Sequence, residues 1–203
     1  LHAPQYTFRA SGMDLELLDW LNTYTFPQEA RYEDTEFAKE AYSIFTEDMK
    51  KSPNTRACIF GTLHVPATEI LMEQLDKTGI KAMVGKVNMD RNGSPQLQEE
   101  SAQASADATV QWIKDTLDKF ENVKPILTPR FTPSCSDALM EKLSEIQKKY
   151  HLPMQSHLSE NFGEIAWVKE LCPNTHFYGE AYSQFDLFGG DCPTIMAHCV
   201  HSS

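Results

Sequence analysis

From residue 36 onward, short apolar runs alternate with stretches of helical periodicity. Arg56 to His64 is an apolar run with β-branched members, and it predicts a strand. Pro66 to Lys77 carries Ile70, Leu71 and Leu75 at helical spacing, with Gly79 placed to end the helix. Ile80 to Val87 predicts the next strand. The polar loop Asn88 to Gln98 leads to a long helix from Ser101 to Phe120, marked by Val110, Ile113, Leu117 and Phe120. Val123 to Phe131 predicts a strand, Cys135 to Tyr150 a helix with Leu139, Leu143 and Ile146 inward, and His151 to His157 a strand. A helix over Glu160 to Leu171 and a fifth strand over Thr194 to Val200 complete the series. Before it, Leu1 to Gly12 is irregular, Leu15 to Leu21 is apolar and helical, and Tyr24-Thr25-Phe26-Pro27 reads as an aromatic loop. Glu36 to Lys51 is an amphipathic helix whose expected buried face is Phe37, Ala41, Ile44 and Phe45.

Strands that alternate with helices predict parallel pairing through crossovers, and strands apolar on both faces suit a sheet covered on both sides. A doubly wound nucleotide fold would carry a Gly-rich turn after its first strand. Here Gly12, Gly61 and Gly85 are isolated. A (β/α)8 barrel instead gathers polar residues at strand C-termini. His64, Asp90, Arg130, His157 with Glu160, and His198 sit at such ends. The expected fold is therefore α/β, a partial (β/α)8 TIM barrel of the metal-dependent hydrolase type. Eight strand–helix units need about 250 residues, whereas this chain has 203. Residues 1–203 are expected to form one catalytic domain truncated at both ends.

A net charge of −11 argues against nucleic acid and against an anionic membrane surface as partners. No apolar run is long enough for a transmembrane helix, and the N-terminus has no basic segment followed by an apolar core. The five cysteines form no C-x-x-C, so each is expected to be a buried thiol in a reducing compartment. The cytoplasm is the expected location. Cys199 stands beside His198, where a packing role outweighs metal ligation.

The stretch Met154-Gln155-Ser156-His157-Leu158-Ser159-Glu160-Asn161 carries the most chemistry. A strand-end imidazole can hold a metal, and a carboxylate three residues on can carry the proton of an attacking water. The plain alternative is a satisfied strand-end His beside an N-capping Ser159. His2, His157 and His198 each lie at or beside a predicted strand end, so their imidazoles can converge at a barrel mouth. His64 suits the mouth or the entry of a helix equally. His151 lies on the face opposite the chemistry, His176 reads as structural, and His201 as supporting or solvated. Arg130 and Phe131 together suit a planar heterocycle with a carbonyl and ring nitrogens. Pairing of Arg130 to an acidic neighbour is an equal alternative.

Several segments taken together resemble the guanine deaminases of the amidohydrolase superfamily. They are His2-Ala3-Pro4-Gln5-Tyr6, Leu18-Asp19-Trp20-Leu21, Tyr24-Thr25-Phe26-Pro27, Val84-Gly85-Lys86-Val87 with Met89-Asp90, Thr128-Pro129-Arg130-Phe131, Gln155 to Asn161, and Met196-Ala197-His198. The resemblance runs in order through nearly the whole chain. It implies a metal-dependent barrel that converts guanine and water to xanthine and ammonia, with one Zn2+ per chain; iron also suits such ligands. It implies that His2, the second histidine of an H-x-H pair, and His157 are metal ligands. The first histidine of that pair falls just before Leu1, and a last aspartate ligand falls beyond Ser203; Asp191 stands on the wrong side of its strand to replace it. Glu160 is implied as the proton shuttle, and His198 as the histidine that holds the hydroxide nucleophile beside the metal. Gln5, Arg130 and Phe131 are implied as purine contacts. A homodimer is the assembly that the resemblance implies for the full-length protein. Without two of its ligands and with open sheet edges, the 203-residue chain is itself expected to bind zinc weakly, to be inactive and to be poorly soluble. Two other readings stand beside this one: an amidohydrolase that acts on another amino-heterocycle, and a barrel that has lost catalysis and serves as a scaffold.

Overall fold

The strands line up side by side in chain order, as sequential crossover units require. In the computed structural model, residues 1–202 are described. Strand β1 (Arg56–Phe60) pairs in parallel with β2 (Lys81–Gly85), and β2 with β4 (Val123–Pro125). Strand β3 (Val87–Asn88) pairs in parallel with β5 (Thr128–Pro129), and β6 (Met154–Leu158) with β7 (Thr194–His198). A bridge between Leu127 and Met154 joins the middle of the sheet to β6. The result is a curved five-position sector of a (β/α)8 barrel, with β2–β3 and β4–β5 each forming one interrupted strand. Helices α4 (Val65–Asp76), α5 (Ala102–Thr116), α6 (Asp137–Tyr150) and α7 (Phe162–Leu171) lie between the strands in sequence.

The interruptions have local causes. Pro125 and Pro129 have no N–H to donate to a ladder. Gly85 passes so close to its neighbour strand that a Cβ there would overlap the Thr128 side chain and lie 2.9 Å from the Ile126 carbonyl. The predicted strands are accordingly longer than the observed ones. Arg56 to His64 ends at Phe60, and Val123 to Phe131 divides in two. Helix ends follow side-chain capping: Asp34, Ser101 and Ser136 each accept hydrogen bonds from first-turn N–H groups. His151 closes α6 in the left-handed conformation, away from the strand C-termini.

Two expectations for the N-terminal region need correction. Tyr24-Thr25-Phe26-Pro27 is helical rather than a loop. Helix α1 (Leu17–Trp20) widens through a π-turn at Leu21–Thr25 into α2 (Phe26–Ala30), where Phe26 N–H reaches Leu21 O. Pro27 crowds the carbonyl four residues back, and a widened turn ahead of it relieves that contact. Helix α3 (Thr35–Lys51) buries Ala38, Ala41, Tyr42, Phe45 and Met49, leaving Ile44 54% exposed and Phe37 at the margin. Its true face is set by Tyr42, whose ring packs 4.8 Å from that of the fully buried Tyr32.

The main core fills the space between the sheet and α3 to α7. A second cluster of Leu21, Phe26, Phe60, Val87, Met89, Leu97 and Phe131 lies where the N-terminal helices cross the strand ends. No described helix is long and apolar enough to cross a membrane. The thiols correct a further expectation: all five cysteines are free, but only Cys135 and Cys172 are buried, and Cys199 is exposed beyond β7.

Gly85→Ala in the full-length protein is expected to lower stability by about 1–3 kcal/mol, the usual cost of overpacking. Urea denaturation of the two proteins measures it, and unchanged stability would show that β2 and β5 can separate freely.

Candidate active site

The strand C-termini bring the predicted chemistry to one place. Leu1 and His2 run beside β1: the Leu1 amino group donates to Cys58 O at 3.0 Å, and Phe60 N–H donates to Leu1 O at 2.7 Å. This lays the His2 ring flat on Phe60, with centroids 4.3 Å apart. His157 stands near the end of β6 and His198 at the end of β7, their ring centroids 5.4 Å apart. Ser159 and His198 both adopt positive φ, at 51° and 71°. For residues with a Cβ this is uncommon, and such strain collects at functional sites. The turn at Ser159 puts Glu160 into the mouth, with its Oε2 3.3 Å from His198 Nε2.

A cavity of about 140 Å³ lies among His2, Gln5, Arg130, His157, Glu160 and His198. At ~30 Å³ per water it has room for a few waters or one small planar ring system. Leu17, Trp20, Leu21 and Phe131 close its apolar side. Every residue singled out from the sequence as a ligand, catalyst or purine contact therefore lines the same space. Glu29, which no sequence signal had marked, lies directly behind it.

The imidazoles of His2 and His157 meet nitrogen to nitrogen. His157 Nδ1 is 2.6 Å from the Arg130 carbonyl, which can only accept, so Nδ1 carries the proton and Nε2 keeps its lone pair. That Nε2 lies 2.8 Å from His2 Nε2. Burial holds both rings neutral: it pushes His157 down to about 3 against the opposing hydrogen bond to the Arg130 carbonyl, and it pushes His2 well below the usual histidine range, with smaller contributions from His157 and Arg130. His2 Nδ1 is buried without a partner. Two neutral, convergent imidazole nitrogens suit zinc or iron. Among the described residues, no group of three or more His, Cys, Asp or Glu side chains converges on one metal position. The pair thus offers two candidate nitrogen ligands.

Glu160 is tuned differently. Burial first, and then the Glu164 charge, raise its carboxyl to about 7 against the opposing charge of Arg130. Glu164 is itself fully buried. One of its oxygens accepts from the Glu160 N–H at 2.9 Å, and the other from Tyr178 Oη–H at 2.7 Å. Asn161, rather than Ser159, caps α7, through a reciprocal box with Glu164. The segment bearing Glu160 is therefore anchored at its backbone while its carboxyl group faces the cavity.

The acidic-neighbour alternative for Arg130 holds, with Glu29 as the partner. Its guanidinium forms a two-point ion pair with Glu29, Nη1 to Oε2 at 2.5 Å and Nη2 to Oε1 at 3.2 Å, and it also lines the cavity. Phe26 lies 5.1 Å below it. Gln5 Nε2 donates to the same Glu29 Oε1 at 3.1 Å. The Trp167 ring meets the edge of Phe131 at 6.4 Å. The remaining polar residues stay outside. His64 begins α4, and Asp90 caps the entry of α6 through Ser136. His176 is exposed beside Glu180, and His201 stacks on Phe162 in solvent.

Glu164→Ala is expected to destabilise the full-length protein by about 2–4 kcal/mol, because it strands the buried Tyr178 hydroxyl and the half-buried N–H groups of Glu160 and Asn161. Glu164→Gln, which can still accept from the backbone and donate to Tyr178, is expected to stay within ~1 kcal/mol of wild type. Chemical denaturation of both variants distinguishes this hydrogen-bonding role from simple loss of volume, under which the two differ only by packing.

The chain is similar to known proteins over its whole length. The pattern of the amidohydrolase family matches residues 1–203. Guanine deaminase of Rattus norvegicus is 44% identical over 204 residues, spanning 100% of this chain and 44% of its own. Guanine deaminase of Escherichia coli is 35% identical, over 99% of this chain and 45% of its own. A crystal structure of guanine deaminase from C. acetobutylicum, with bound guanine in the active site, superposes with a TM-score of 0.96 at 50% identity. It covers 100% of this chain and 48% of that one. The chain spans a little under half the length of these relatives.

Proposed function

The chain belongs to the amidohydrolase family, and from that premise we propose that the full-length protein deaminates guanine hydrolytically to xanthine and ammonia. The observation that carries this reading is the meeting, in one small cavity, of a convergent imidazole pair, a carboxylate raised to about 7 and the Gln5–Arg130–Phe131 wall. Similarity to guanine deaminases over the whole of this chain supports it.

His2 and His157 would hold one zinc ion, with further ligands from the rest of the protein. Bound zinc supplies Lewis-acid acidification of the attacking water. The Glu160 carboxylate takes a proton from that water and delivers it to ring N3 of guanine, which makes C2 more electrophilic. The water oxygen bonds to C2. Glu160 then relays the second water proton to the amino group, the C2–N bond breaks, and ammonia leaves. Xanthine retains the oxygen at C2 and the proton on N3, so every atom of guanine and water is accounted for. A carboxyl with a pKa near neutrality suits both halves of this relay. His198, beside Glu160, is placed to orient the water. Arg130 and Gln5 address the polar edge of the purine, and Phe131 with Trp20 and Leu21 bounds its faces.

The test is a guanine-to-xanthine assay on the full-length protein, with zinc quantified in the same sample. Turnover with about one zinc per chain is the expected result. Zinc without guanine turnover would move the substrate to another amino-heterocycle. Neither zinc nor turnover would favour a barrel that serves as a scaffold. Glu160→Gln is expected to lower turnover by at least ~10²–10⁴-fold while zinc content stays at the wild-type level. Turnover like that of wild type would remove Glu160 from the relay.

A further inference from the structure

Glu29 makes no contribution to the chemistry described above, yet it is among the most deeply buried charges in the molecule, at 1% exposure. Its two oxygens receive three donors: Arg130 Nη1, Arg130 Nη2 and Gln5 Nε2. A carboxylate only accepts hydrogen bonds. It therefore decides which end of the Gln5 amide turns away from it. With Nε2 held at Glu29, the branch that remains is Oε1, an acceptor with no hydrogen bond to any described residue. Arg130, held by the same carboxylate and underlain by Phe26, has only N–H groups to offer the cavity.

We infer that Glu29 is a specificity-determining positioning residue. By orienting Gln5 and Arg130 together, it makes the cavity wall present an acceptor beside donors, the complement of a ring edge in which an N–H adjoins a carbonyl oxygen. The inference rests on the reading of this cavity as a purine site and names what that site selects: a lactam edge. A purine edge with bare ring nitrogens and no oxo group leaves the Gln5 acceptor unpaired. Sites built from buried polar groups reject such ligands strongly, because the unmatched group is stranded. Were Gln5 free to turn its amide, the wall would offer donors only, and this discrimination would be lost. Glu29 itself touches no substrate; it acts through the two side chains it holds.

The experiment compares guanine with 2-aminopurine, which keeps the amino-bearing carbon but has neither the oxo group nor the adjoining N–H. Wild-type full-length protein is set against Glu29→Asp and Glu29→Gln. Glu29→Asp keeps the charge that neutralises buried Arg130 and so remains foldable, but it is too short to hold both partners. The expected result is a fall of about tenfold in the guanine to 2-aminopurine ratio of kcat/KM for Asp and about 100-fold for Gln, carried by a higher KM for guanine. Zinc content should not change. Parallel losses on both compounds, or an unchanged ratio in the Asp variant, would overturn the inference and leave Glu29 a purely structural ion-pair partner. Crystal structures of wild-type and Glu29→Asp full-length protein supply a readout independent of turnover. Gln5 should present Oε1 to the cavity in the first and lose that single orientation in the second; an unchanged Gln5 and Arg130 would also overturn it. If wild-type protein does not turn over guanine, the functional reading fails, and the crystal structures still decide whether Glu29 orients the wall.

Discussion

Arg130 is the joint between the two halves of the candidate site. Its guanidinium is paired to Glu29 on α2, and its carbonyl receives the Nδ1 proton of His157 on β6. Two charges taken out of water cost several kcal/mol each, and only close geometry with further hydrogen bonds offsets that cost. Here the compensation is the two-point pair, the Gln5 donor and the Phe26 ring. The N-terminal helices thus cannot shift over the barrel mouth without stranding a buried charge. Nor can the strand end that carries Arg130 move without releasing the tautomer of His157. Cavity wall and imidazole pair are joined through one residue.

The rest of the mouth follows the same logic, with polar groups anchored from behind and free in front. Glu164 satisfies the backbone of Glu160 and the Tyr178 hydroxyl, leaving the Glu160 carboxyl to the cavity. Positive φ at Ser159 and His198 turns the chain sharply at the ends of β6 and β7. Such conformations persist only where surrounding contacts over-determine them. Backbone hydrogen bonds supply that restraint: Cys199 N–H donates to Leu158 O at 2.8 Å, and His201 N–H donates to Ser159 O at 3.0 Å.

Much of this was readable from residue order. The five strand positions, the helices between them and the convergence of His2, His157, Glu160 and His198 follow from periodicity and from polar residues at strand ends. Local rules failed where two local answers were equally good. Helix α3 carries apolar residues on overlapping faces, and only the packing of Tyr42 on Tyr32 chose between them. The aromatic segment Tyr24 to Pro27 has the composition of a loop but completes a helix, because Leu21 and Phe26 are drawn into the second cluster. Glu29 left no signal, since its partner Arg130 lies 101 residues away and a lone glutamate after a proline resembles any surface residue. Lys86 is similar: a lysine at the break between β2 and β3 that is fully buried, paired with Glu99 across a loop.

The sequence by itself determined the class of the fold and the kind of chemistry at the strand ends, because both depend on patterns confined to neighbouring residues. The 3.6- and 2-residue periods sort apolar from polar faces, and His157 with Glu160 sits within one short turn. The tertiary structure alone decided which charges are buried, which nitrogen of His157 is free and which end of the Gln5 amide faces the cavity. Those properties depend on donors and acceptors that meet only when α2, β5 and β6 are folded against one another, and desolvation, which makes each pairing obligatory, exists only in the packed state.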